Sequence, residues 1–237
     1  MTTIKDRTKS VVFMFAMAAL LAGVLSGIRV VTAAKVEDNR KFAATRSIVE
    51  VLELADDVKA LSGQEMEKLR ENNIRKFWVI GSESAPQLVD TEPGPQQQVL
   101  YTMWAAVDDQ GKPTAYAFKI GGKGFWGPVW GLMSVATDGE TIRHVVWTDQ
   151  AETPGLGARI EEKAYREKFR GKLASDPSVH RFTVVPEGTM GDDPHKIDQI
   201  TGASETTVRG MGHFLNDNFA KWHKYYPLLA AYFAKQS

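Results

Sequence analysis

The sequence predicts an α+β domain in which a curled antiparallel sheet packs against helices, preceded by one transmembrane helix. Three observations carry that expectation. Val11 to Ile28 is an uncharged run of 18 residues, VVFMFAMAALLAGVLSGI, at the lower limit for crossing the hydrocarbon core as a helix. Between Val99 and Trp147, β-favouring stretches alternate with tight Gly, Pro and Asp turns, and connections that short join antiparallel neighbours. Stretches with apolar residues three and four apart flank that region on both sides.

Lys5, Arg7 and Lys9 precede the apolar run. The positive-inside rule therefore predicts a cytoplasmic N-terminus over residues 1–9 and an anchor over 10–31, with Arg29 snorkelling to the interface. The bulk of the chain is then expected on the outer face of the inner (cytoplasmic) membrane, in the periplasm or cell exterior. Val31-Thr32-Ala33 offers a small-residue cleavage site, so a cleaved leader is the competing reading, although the apolar run exceeds the usual length for one.

Residues 36–75 read as a helical segment of the outer domain. Ile48, Val49, Val51, Leu52 and Leu54 give helical spacing from Val36 to about Leu61, and Ser62-Gly63-Gln64-Glu65 has a capping-box pattern that starts a second, short helix. The main domain, 76–237, opens with a short strand at Phe77–Ile80. Ser82 to Gln98, with three prolines, reads as loop or edge. Strands follow at Val99–Val107, Thr114–Ile120, Trp126–Ala136 and Thr141–Trp147, then a helix at Glu161–Arg170 and a strand at Arg181–Val185. Glu205–Trp222 reads as an amphipathic helix, apolar at Val208, Met211, Phe214, Leu215 and Phe219, with an apolar tail beyond Pro227.

Composition narrows the chemistry. Lysine and arginine total 29, as do aspartate and glutamate, but residues 1–35 hold five basic side chains against Asp6, so the rest carries 24 basic and 28 acidic. That balance offers no cationic surface for nucleic acid. The absence of cysteine removes disulfides, thiolate-ligated iron–sulfur clusters, covalent haem attachment and thiol nucleophiles. His144, His180, His195, His213 and His223 form no metal motif, and no nucleophile elbow is present, so no catalytic residue and no metal ligand is assigned. Redox work, if any, rests on a bound organic cofactor or on a metal held by His and carboxylates.

One stretch stands out: Asp198-Gln199-Ile200-Thr201-Gly202-Ala203-Ser204-Glu205-Thr206-Thr207. A glycine-containing turn rich in hydroxyls opens into a helix, and a helix start offers unpaired N–H groups and a positive dipole end to a phosphate. Read as composition alone, the stretch favours the plainer reading, a capped helix after a turn. Gly121 to Trp130 reads either as a glycine-bent strand with core tryptophans or as an aromatic placed for stacking.

The Asp198–Ser204 stretch resembles the flavin-attachment motif of the FMN-binding domain family, Asp-x-x-Ser/Thr-Gly-Ala-Thr/Ser. A second family element, Glu152-Thr153-Pro154-Gly155-Leu156-Gly157, stands upstream in the expected order. Together with Gly122-Lys123-Gly124-Phe125-Trp126 and the N-terminal apolar segment, these most resemble C subunits of sodium-translocating NADH:quinone oxidoreductases, with G subunits of Rnf electron-transport complexes second. The resemblance implies FMN joined through its phosphate to Ser204, where the family more often has threonine, with Thr201, Gly202 and Ala203 shaping the turn. It implies that Asp198 is read by a flavin transferase, and that Glu152, Thr153, Gly155, Leu156 and Gly157 lie by the flavin, with Thr153 and Leu156 as contacts. It further implies an electron relay among other integral membrane and redox subunits. Thr206 and Thr207 are the alternative acceptors.

Overall fold

The computed structural model describes residues 4–200 and 205–236. The chain divides into two compact units, Met1–Ala43 and Ala44–Ser237. Helix α1, Ile4–Val51, begins in the first and ends in the second. By length and composition it is the one helix among the described residues able to cross a membrane, and its large apolar side chains from Val11 to Ile28 are mostly exposed.

The sequence separates an anchor from a helix starting at Val36, whereas α1 runs through both. Residues 29–35 contain no glycine or proline to stop it. The helix also stops earlier than the expected Leu61. Glu53 has φ 53°, its N–H donates to Glu50 O, and Leu54 N donates to Val49 O. This is a Schellman termination with glutamate at the left-handed position glycine usually takes, so the stop signal is missing from the sequence.

Helix α2, Gly63–Asn73, starts as expected: Ser62 Oγ accepts from Glu65 N, and the Glu65 carboxylate accepts from Ser62 N. Strands β1 (Ile74–Ser82), β2 (Ala85–Val89), β3 (Val99–Val107), β4 (Pro113–Lys123), β5 (Pro128–Val135) and β6 (Ile142–Asp149) follow. They form one antiparallel sheet in the order β2-β1-β3-β4-β5-β6, hairpins throughout except that β1 lies between β2 and β3. Register shifts at Val79/Ile80, Ala106/Val107, Trp130/Gly131 and Ser134/Val135 are the bulges that curl it. Pro86 sits in the edge strand β2, where its missing N–H costs no ladder bond.

Alternation along the strands gives the sheet two apolar faces. One packs Trp104, Ala106, Ala117, Leu132 and Val146 against Val49, Val51 and Leu52 at the end of α1 and Met66 of α2. The other packs Phe77, Met103, Tyr116, Phe118 and Met133 against the C-terminal helix α4, Glu205–Ala234. Phe118 and Trp222 stack there at 4.6 Å and 14°. Burial of the Tyr116 hydroxyl in this layer pushes its pKa up to about 12.

Helix α4 outruns the expected end at Trp222, continuing through Pro227. The proline costs a backbone hydrogen bond, but Tyr225, Leu229 and Phe233 are buried on the sheet and hold the last turns down. Between β6 and α4 the expected helix Glu161–Arg170 resolves into a 3-10 turn, Gly157–Glu161, and a short helix α3, Lys163–Glu167. Strand β7, Thr183–Val185, pairs in parallel with β8, Lys196–Asp198, a three-residue element too short to show periodicity.

Candidate cofactor site

The sheet's β4–β5 and β6 ends meet at Glu152. Its side chain is 5% exposed, and Oε1 accepts from the backbone N–H of Phe125 at 2.8 Å and of Trp126 at 3.1 Å. Its own N–H donates to Gln150 Oε1 at 2.6 Å. Bonds to an ionised carboxylate are roughly twice as strong as neutral ones, so one side chain joins the β4–β5 turn to the loop after β6. The approach explains two glycines. A Cβ on Gly124 would lie 2.4 Å from Glu152 Oε1, and one on Gly157 would lie 2.7 Å from Oε2.

The loop itself is a compact turn. Thr153 O accepts from Leu156 N and Ala158 N, and Gly155 takes φ +75°. Thr153 Oγ1 accepts from the Trp126 indole N–H at 3.0 Å. Leu156 is 45% exposed, beside the 3-10 turn it precedes.

Trp126 and Trp130 are not core residues: they are 68% and 47% exposed, and Phe125 is 47% exposed. The turn closed by Gly124 N to Gly127 O lifts residues 125 and 126 out of the sheet, where their rings meet edge to face at 4.9 Å. On β5, Trp130 lies across from Gly121. The exposure of both tryptophans goes against the core-tryptophan reading of Gly121–Trp130; the indole–Thr153 bond has no sequence signature, because its partners stand 27 positions apart.

Asp198 ends β8 and is 7% exposed. Burial would raise its pKa, but the backbone N–H groups of Gly188, Met190 and Thr189 outweigh that and hold the carboxyl below its ordinary range. Oδ1 accepts from Thr189 N at 3.1 Å and Met190 N at 3.0 Å. Asp198 thus braces the 186–190 turn in the fold. Thr201, Gly202, Ala203 and Ser204 lie outside the described residues, and the chain resumes at Glu205, the first residue of α4.

Two buried polar atoms near this region have no partner among the described residues, the Trp147 indole N–H on β6 and the Tyr165 hydroxyl on α3. Trp147 packs edge to face on Phe214 of α4, centroids 6.3 Å apart. Burial, with the Asp198 charge second, raises the Tyr165 pKa. Among the described residues no group of three or more His, Asp or Glu is placed to hold a metal ion.

The C subunit of the Na(+)-translocating NADH-quinone reductase of Pasteurella multocida is 33% identical over 115 residues, covering 48% of this chain and 42% of the relative. The corresponding Chlamydia pneumoniae protein is 36% identical over 111 residues, covering 41% and 35%. The chain thus spans less than half the length of these curated relatives. The solved structure of the same reductase component from Parabacteroides distasonis shares the fold with a TM-score of 0.62 at 23% identity, covering 80% of this chain and 94% of that one. Residues 124–217, which include both Glu152–Gly157 and Asp198–Ser204, match the FMN-binding domain family.

Proposed function

We propose that the chain is a membrane-anchored flavoprotein subunit, with FMN joined through its phosphate to Ser204, that relays electrons one at a time within an ion-translocating NADH:quinone oxidoreductase. The observation that carries this reading is the FMN-binding match over residues 124–217, with its two expected elements inside it. α1 is the retained anchor, and Lys5, Arg7 and Lys9 keep its N-terminus cytoplasmic, which leaves the main domain on the outer side.

The residues present fit the cofactor. An exposed aromatic pair, Phe125 and Trp126, and an exposed Leu156 offer apolar surface to a planar ring. The Trp147 N–H is a buried donor with no partner among the described residues, and it could bond a polar atom of a ligand. Ser204 directly precedes α4 in the chain, and a phosphate bound at the start of that helix would be stabilised by backbone N–H groups and the dipole. FMN, when bound, supplies the redox chemistry, while the chain binds, orients and shields it. Thr153 holds Trp126 by its indole, Glu152 holds the two loops together, and the exposed Leu156 would offer the ring an apolar contact. Maturation then needs a flavin transferase, with Asp198 in the sequence it reads.

Intact mass of the chain purified from its native membrane tests this, with the added mass of one FMN as the expected result. Ser204→Ala removes that mass and the yellow colour retained after denaturation. Colour surviving in Ser204→Ala but lost in Thr206→Ala or Thr207→Ala moves the attachment point, and an unmodified native chain overturns the proposal.

A further inference from the structure

A ladder of backbone hydrogen bonds leads away from the Glu152–Gly157 loop. Leu156 N donates to Thr153 O, Arg159 N to Leu156 O, Glu162 N to Arg159 O, and Tyr165 N and Arg166 N both to Glu162 O. Steps of three residues thus connect the loop to α3 without a break. α3 is held on two sides. Tyr165 is buried in the core next to Phe169, and Arg166 turns the other way, where Nη1 meets Glu50 Oε1 at 2.8 Å and Val145 O at 3.4 Å.

Glu50 lies in the last turn of α1, whose neighbours Val49 and Val51 are fully buried under the sheet. A second carboxylate, Glu53, supports the same junction from the left-handed position that ends the helix. Its oxygens pair with Arg143 of β6 at 3.1 Å and with Arg170 just after α3. Two acids at the end of the long helix therefore engage three arginines on the elements that flank the loop. The Arg166–Glu50 pair is among the less exposed of these, at 18% and 30%, so water screens it less than a surface pair.

We propose that Arg166 is a positioning residue for the cofactor loop: through Glu50 it fixes α3, and through the ladder the Thr153–Glu162 segment, to the end of the long N-terminal helix. The importance of that loop rests on the function proposed above, but the mechanical link does not. A pair that merely holds the fold together loosens the sheet as much as the loop when broken. A positioning pair loosens the ladder selectively, because local openings have their own free energies below that of global unfolding.

Hydrogen exchange on the full chain in detergent micelles reads this out, with or without flavin, so a flavin-free chain still decides the matter. Glu50→Gln and Arg166→Gln are expected to speed exchange at the Leu156, Arg159 and Glu162 amides by about tenfold or more while β3 and β4 amides keep their rates. The double exchange Glu50→Arg with Arg166→Glu restores slow exchange. Arg166→Lys keeps the charge but loses the guanidinium's second contact to Val145 O, and gives an intermediate rate in a chain that folds readily. Unchanged rates at the three amides, or acceleration spread evenly over sheet and loop, overturn the proposal.

Discussion

Gly122 of β4 and Phe214 of α4 lie so close that a Cβ on Gly122 would stand 2.3 Å from the Phe214 Cβ. The same stretch of strand is bound by Asn218, whose Nδ2 donates to Gly121 O at 2.9 Å. These contacts set α4 on the sheet within about four turns of its first residue, and the proposed attachment serine is the residue before that helix.

Gly122→Ala therefore forces α4 away from β4. Overpacking of this kind costs about 1–3 kcal/mol. The expected result is a lower urea midpoint together with a smaller fraction of chains carrying flavin after co-expression with a flavin transferase. An alanine variant with wild-type midpoint and wild-type flavin content contradicts the close contact.

Glu152→Gln tests the joint between the two loops. The amide retains an acceptor for Phe125 and Trp126 but loses the charge that strengthens both bonds, and it places an NH2 group where Gly124 and Gly157 leave little room. A loss of about 1–2 kcal/mol in unfolding free energy is expected, with faster proteolysis inside 153–162. Stability equal to wild type means the carboxylate does no more there than an amide.

Much of this was legible in the residues. The Ser62–Glu65 box, the hairpin strands and the amphipathic face of α4 each follow a local pattern that the packing respects. What was hidden depends on exceptions to local rules or on distant partners. Glu53 ends α1 where a glycine would have announced the stop, and Pro227 sits inside α4 because Leu229 and Phe233 outweigh it. At the site, Glu152, Thr153, Gly155, Leu156 and Gly157 belong to one six-residue turn. The sequence could not show that the Glu152 carboxylate faces backbone amides of residues 125 and 126, since backbone donors leave no trace in side-chain identity.

Acid should weaken the region before α4 through Asp198. Its carboxyl is held below the ordinary carboxylate range by three backbone N–H donors, which prevail over burial. A depressed folded-state pKa means the stabilisation is complete above the unfolded value, near 4 as an approximate reference, and is lost as the pH falls through the folded value. Asp198→Asn keeps one acceptor oxygen for Thr189 and Met190 but cannot be protonated in that range. Urea denaturation between about pH 6 and pH 2.5 is expected to show a shallower acid decline for the variant, with a lower plateau above about pH 5 from the weaker neutral bonds. Parallel curves for the two chains would place the acid sensitivity elsewhere, with Asp138 the next group to change, because burial is outweighed there too, by Thr141 and the Glu140 amide.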